Sequence, residues 1–313
     1  MSKRAGKKGN IVIVDDMEGI SGINDWHQIF AGCKEYEEFG RVQVTEDVNA
    51  AIRGLRKAGA MEIRVVDFHG SGGTNKNVIS ERLEKDAKLF QGSDLSGRLE
   101  KAVDKSTAAA VFVGFHAMAD TKDGFLRHTI TMDPRITIDG EPVGETAINA
   151  YALAEHGIPV VMVTGDQALA REAEAFIPGV ETVQVKTSID CKTTRCLPLS
   201  KARKLIEAAA ERVFVRKDEF KPVQVTKPIR LDVSFLNREQ AELCKTIPKA
   251  SIRAKTVSYV ADSWEEADKF IKTTLSLANE FHIQKLVNML SKLEGAGKVT
   301  FAWAENRINE WLS

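Results

Sequence analysis

The chain has 313 residues, 43% of them hydrophobic and 28% charged, with 44 basic residues balancing 44 acidic ones to zero formal net charge. That length suits one large or two modest domains, and neutrality speaks against a nucleic-acid binder, whose affinity rests on neutralising phosphates. No stretch approaches the roughly 20 continuous apolar residues of a membrane span. Cys33, Cys191, Cys196 and Cys244 make no C-x-x-C pair, so reduced thiols in a cytoplasmic protein are expected rather than a zinc knot.

The opening MSKRAGKKGN is basic, and acids cut off the apolar run behind it after Val14. A secretory signal needs roughly 7–15 apolar residues there, so a disordered leader is expected. Residues 11–14 read as a buried strand running into Asp15, Asp16 and Glu18. Val48, Ala51, Ile52, Leu55 and Ala58 then recur at helical spacing, with Thr45 as a candidate N-cap. Further strands are predicted over residues 63–66 and 109–113, then a hairpin within HTITMDPRITIDGEPV and a helix over residues 144–154. PVVMVTGD is a fourth buried strand, QALAREAEAF a helix, ETVQVK a fifth strand and SKARKLIEAAAERV an amphipathic helix.

Continuous apolar strands alternating with helices predict a three-layer α/β domain with a mostly parallel sheet. After the linker RKDEFKPVQVTKP, IRLDVSF and TVSYV alternate as half-exposed strands of a smaller α+β domain. Ser263-x-x-Glu266 opens a helix as a capping box, and IQKLVNMLSKL and FAWAENRINEWL read as two more helical stretches.

Ligands of parallel α/β sheets bind beyond the carboxyl ends of the strands. The polar residues just past those ends are Asp16 and Glu18, Asp67 and His69, His116 with His128 after it, Glu145 and Asp166. Side chains two apart on a strand point the same way, so Asp16 and Glu18 share a target while Asp15 faces elsewhere. Two convergent carboxylates repel unless a cation lies between them, and Gly19 and Gly22 let the backbone turn there. Carboxylates mixed with imidazoles suit zinc, manganese or iron, and five such groups exceed the needs of one four-coordinate zinc. A pair of metals sharing a carboxylate is the simplest reading. Asp67 is a candidate orienting partner for His69. Asp15 and Asp166 read as structural, and His27, His156 and His282 as surface or packing residues.

The motifs DMEGISG, DFHGSGGTNKN, VGFHAMA, RHTI and GEPVGETAINAYALAEHGIPVVMVTGD, in this order, resemble the DppA-type D-aminopeptidases, a family of binuclear zinc metallopeptidases. The resemblance implies that Asp16, Glu18, His69, His116 and Glu145 hold two zinc ions per subunit, with other divalent transition metals as alternatives. It further implies that Asp16 bridges the ions, that His128 is the catalytic histidine, and that the chain is a homo-oligomer, a decamer of two stacked pentameric rings. A short peptide or aminoacyl amide is the implied substrate, with no nucleic-acid or membrane partner. Asn75, Asn77 and Lys186 are candidate substrate-binding residues.

The expected layout is a basic leader over residues 1–10, a metal-binding α/β catalytic domain over 11–218, a smaller α+β domain over 219–281 and a helical C-terminal extension over 282–313. Asp15, Val66, Phe68 and that extension depart from the family's usual pattern. Competing readings are another binuclear-metal hydrolase, such as a small-molecule phosphatase, and a non-catalytic peptide-binding protein. A phosphatase is expected to place Arg or Lys beside the metals, and only Lys76, Arg127 and Lys186 lie near these motifs.

Overall fold

The computed structural model describes residues 9–70, 76–92, 98–131, 134–290 and 292. Its larger sheet contains β1 (Asn10–Asp15), β2 (Ile63–Asp67), β3 (Lys88–Phe90), β4 (Thr107–Val113), β7 (Val160–Gly165) and β8 (Glu181–Gln184). All six run parallel, in the order β3-β2-β1-β4-β7-β8. Both faces are covered, which is why the central strands β1, β4 and β7 are mostly apolar and buried. Ile11, Ile13, Val65 and Val111 pack under α1 (Arg41–Lys57) and α5 (Leu199–Val215). Val12, Val14, Phe112 and Val163 pack under α2 (Arg98–Ala102), α3 (Glu145–Glu155) and α4 (Gln167–Phe176). The expected α/β class is therefore observed, and β1 and β4, neighbours at the point where the strand order reverses, flank its topological switch point.

A second sheet is antiparallel, with β12 (Ser251–Arg253), β13 (Thr256–Ala261), β11 (Ile229–Ser234), β5 (Arg135–Ile138) and β6 (Glu141–Val143) in that order. Ile229, Leu231 and Val233 alternate inward and pack with α6 (Arg238–Leu243) and α7 (Trp264–Leu290). The β5–β6 hairpin joins this sheet through β11, so it leaves the run of parallel strands before the chain enters α3. Ala147 and Ile148 of α3 belong to the same apolar cluster, and Ala150 and Leu153 to the larger sheet's. This helix thereby links the two sheets.

Two local expectations change. Thr45 is no cap: α1 begins at Arg41, and the Thr45 hydroxyl donates to the Arg41 carbonyl at 2.7 Å while accepting from Ile79 N at 2.9 Å. The IQKLVNML part of IQKLVNMLSKL is no separate helix but the end of α7, since no Gly or Pro interrupts the chain from Trp264 to Leu290. The strands β3, β9 (Lys186–Ser188) and β10 (Thr194–Cys196) are three residues each, too short to show a period. FAWAENRINEWL lies outside the described residues. Among the described residues no helix is long and apolar enough to cross a membrane.

Candidate metal centre

Past Asp15 the chain must fold back at once, and Met17, Ile20 and Ile23 bury themselves to make it do so. Gly19 N donates to the Gly114 carbonyl at 2.8 Å; a Cβ on Gly19 would lie 1.9 Å from the Phe115 carbonyl oxygen. Gly22 takes φ +80, a conformation that favours glycine. From α1, buried Asp47 accepts Ser21 N at 2.8 Å and pairs with Arg203 at 3.3 Å. The Lys186 ammonium donates to the carbonyls of Glu18 at 2.8 Å and Ile23 at 2.7 Å.

The sequence offers Lys186 as a substrate-binding candidate, but it is 1% exposed and directed at the backbone of this loop. Burial pushes its pKa down to about 8. Lys186→Met, which frees the loop, is expected to weaken metal binding about 10–100-fold, as read by competition with a chelator. The unfolded chain keeps this proton to about 10.5. Wild-type stability relative to the variant therefore rises with pH between those two values, checked by urea melts.

The loop delivers Asp16 and Glu18 to a buried cluster. His69 Nδ1 lies 2.9 Å from Asp16 Oδ1 and 3.4 Å from Glu18 Oε2. His116 Nε2 lies 3.3 Å from Asp16 Oδ2 and 3.2 Å from Glu145 Oε1. His128 stacks on His116 with ring centroids 4.0 Å apart, its Nε2 3.7 Å from Glu145 Oε1 and 3.9 Å from Glu18 Oε1. Each ring points its other nitrogen at a main-chain carbonyl: His69 at Ile29 (2.9 Å), His116 at Ala117 (3.0 Å) and His128 at Leu126 (2.8 Å). A carbonyl only accepts, so each of those nitrogens carries an N–H, and the inward nitrogen is the one that would offer its lone pair to a cation once any proton on it is displaced. All six residues thus come together around one space.

Burial opposes charge on His69 and His116, yet the nearby carboxylates outweigh it: Glu18 first for His69 and Glu145 first for His116 raise both pKa values well above the ordinary range. Burial, then Glu18, lifts Asp16 to about 7. Burial and the neighbouring His116 lower His128. The donor set fits divalent cations. Asp16 Oδ2, Glu18 Oε2 and His116 Nε2 are buried without a hydrogen-bond partner, and three ligand triads overlap: Asp16, Glu18 and His69; Asp16, His116 and Glu145; Glu18, His116 and His128. Asp16 joins the first two, one oxygen toward each histidine.

Two other candidates occupy different places. Asn77 is fully buried; it accepts from the Tyr36 hydroxyl and donates to Asp67 Oδ1 and the His69 carbonyl, so it shapes the chain behind His69 and does not line the cavity. Asn75 lies outside the described residues. Asp67 accepts from the backbone of Asn77 and Val78 and from Gln91, while the Ile29 carbonyl orients His69 instead. Asp166 caps α4 through Leu169 N and accepts from Phe125 N and the Ser188 hydroxyl, steadying the loop that ends in His128. Sequence reasoning missed Ile29 because its contribution is main-chain. It also missed Glu172, whose Oε2 accepts Met118 N at 2.8 Å beside His116 and whose pKa burial raises to about 7. Asp47 did leave a signal, an acid at the spacing of the apolar stripe of α1.

Asp15 is fully buried with both carboxylate oxygens unpartnered. Burial, then Asp67, pushes its pKa well above the carboxylate range. An acid raised in the folded state costs stability as pH climbs from its unfolded value of about 3.9. Asp15→Asn is therefore expected to melt above the parent at pH 7, with the gap narrowing toward pH 4; each kcal/mol is about 2–4 °C at this length.

A cavity of about 660 Å³ opens from the cluster, lined by Phe68, Leu99, Ile148 and Ala152 among others, with Ile271 and Leu275 of α7 across from them. Ile130, two residues past His128, also lines it and is held at φ 64, strained for a β-branched residue, by a 2.6 Å hydrogen bond from its N–H to Glu145 Oε1.

A parallel sheet whose carboxyl edge gathers carboxylates and imidazoles beside an open cavity has the construction of a metal-assembled hydrolase. Comparison with known proteins agrees. The chain belongs to the D-aminopeptidase family, whose sequence model matches residues 10–273. A D-aminopeptidase of Bacillus subtilis (strain 168) is 34% identical over 273 residues, 85% of this chain and 97% of the relative. The solved structure of the Zn-dependent D-aminopeptidase DppA from Bacillus subtilis, described as a self-compartmentalizing protease, superposes with a TM-score of 0.81 at 32% identity. That match covers 86% of this chain and 97% of DppA.

Proposed function

We propose that this chain is a zinc-dependent aminopeptidase that removes the N-terminal residue from short peptides or amino-acid amides. The observation that carries the reading is the split carboxylate of Asp16, with Oδ1 2.9 Å from His69 and Oδ2 3.3 Å from His116, which suits a ligand shared by two cations. Glu18 and His69 would hold one cation with Asp16, and His116 and Glu145 the other. Bound there, a divalent pair supplies Lewis acidity, lowering the pKa of a water and polarising a carbonyl.

The chain's own groups do the rest. The His128 Nδ1–H is held by the Leu126 carbonyl, so Nε2 faces the cluster as a base. Burial and His116 keep the ring neutral near neutral pH, able to take a proton and return it to the leaving amine. Phe68, Leu99 and α7 limit water around the scissile bond. A homo-oligomer, decameric as the family resemblance implies, and a cytoplasmic location belong to the same proposal; the description of the DppA neighbour as self-compartmentalizing supports the first.

The test is metal content by elemental analysis, joined to a panel of D- and L-aminoacyl amides and p-nitrophenyl phosphate. Zinc-dependent release of the amino acid, abolished by chelation and restored by zinc, supports the reading. Hydrolysis of the phosphoester alone sinks it.

A further inference from the structure

We infer that the wall formed by Ile148 and Ala152 of α3 with Ile271 and Leu275 of α7 selects substrates whose first residue carries a bulky apolar side chain. This inference rests on the aminopeptidase reading above. Glu145, Ile148, Asn149 and Ala152 all line the cavity, and their spacing of three and four puts them on one helix face. At 1.5 Å per residue that face runs about 10 Å beyond Glu145, enough for a substrate backbone seated at the cluster and a large side chain pointing away from it.

Ile271 and Leu275, one turn apart, face it from α7, and Leu99 adds to the same apolar surround. At about 660 Å³ the space is far more than an alanine methyl fills. A small side chain would leave the wall without contact partners, and each added methylene gains dispersion and transfer energy. Charged side chains find little there. Asp268 and Lys272, the charged residues that α7 contributes, are 2.6 Å apart and satisfy each other. Glu100 lies exposed at the rim, where salt screens it.

The experiment compares kcat/KM of the zinc-loaded protein for the amides of alanine, leucine, phenylalanine, lysine and glutamate. Wild type is expected to gain about tenfold from alanine to leucine, to keep that gain for phenylalanine, and to lose it for both charged residues. Ala152→Phe, which fills the far end of the wall, should lower the phenylalanine-to-alanine ratio by about tenfold or more. The same amides are titrated calorimetrically into zinc-loaded His128→Ala, so binding is read without turnover. Graded binding that favours leucine and phenylalanine, with no turnover by wild type, upholds the wall and removes the aminopeptidase reading. Turnover that is equal across the series or best for alanine overturns the wall and leaves that reading in place. Binding of none of the amides overturns the wall. Should Ala152→Phe not fold, the wild-type series decides alone.

Discussion

His128→Ala is expected to keep two zinc ions per chain and to lose about 10²–10⁴-fold in kcat, the usual worth of a positioned acid–base group. The reason is geometric. His128 is the ring farthest from its carboxylates, 3.7 and 3.9 Å, whereas His69 and His116 approach theirs at 2.9 to 3.4 Å. It enters only one of the three ligand triads, and Glu18 and His116, its partners there, each belong to another. It is also the one ring of the three whose pKa falls, because burial and His116 outweigh its carboxylates. A group kept neutral with a lone pair facing the cavity suits proton transfer. Elemental analysis beside single-turnover kinetics checks the outcome: a variant that loses one equivalent of zinc makes His128 a ligand, and one with near-normal turnover removes its role.

Most of the arrangement is legible in the sequence, for physical reasons. The buried strands are β-branched runs, and side-chain polarity changes abruptly at their ends, so the carboxyl edge shows in the sequence. Asp16, Glu18, His69 and His116 lie just past such ends and Glu145 at a helix start, with His128 farther along the loop that follows β4. What stayed hidden depends on main-chain atoms or on pairing between distant segments. The carbonyls of Ile29, Ala117 and Leu126 choose the tautomers of three histidines, and a carbonyl is common to every residue. Lys186 in QVKTS looks like a solvent-facing cation; only the fold shows that it bonds two carbonyls more than 160 residues away. The role of Asn77 is hidden for the same reason, since its amide is consumed by Tyr36, Asp67 and the His69 carbonyl. The β5–β6 hairpin follows the parallel strands in sequence yet pairs with β11, about 90 residues later, a long-range partner that no local pattern announces.

Asp16→Ala is expected to abolish binding of both metals, not one, and with it all hydrolysis. Loss of His69 or Glu145, each in a single triad, should weaken only its own position. Asp16 belongs to two, and its oxygens are committed separately, Oδ1 to His69 and Oδ2 to His116. Deleting the carboxylate also removes the negative charge that offsets Coulomb repulsion between two dications a few ångströms apart, so the second ion is lost through electrostatics even though two of its ligands remain. The apo variant should nevertheless fold. Asp16 accepts from Met17 N at 2.9 Å, but the loop's other ties run through Gly19, Ser21, Glu18 O and Ile23 O. Burial and Glu18 already raise the Asp16 pKa to about 7, so this carboxylate costs the metal-free protein stability at and above neutral pH. Elemental analysis and thermal melts with and without added zinc separate the outcomes: wild type should gain several degrees on zinc addition while Asp16→Ala gains none. A variant that retains one tightly bound zinc would show that Asp16 serves a single ion.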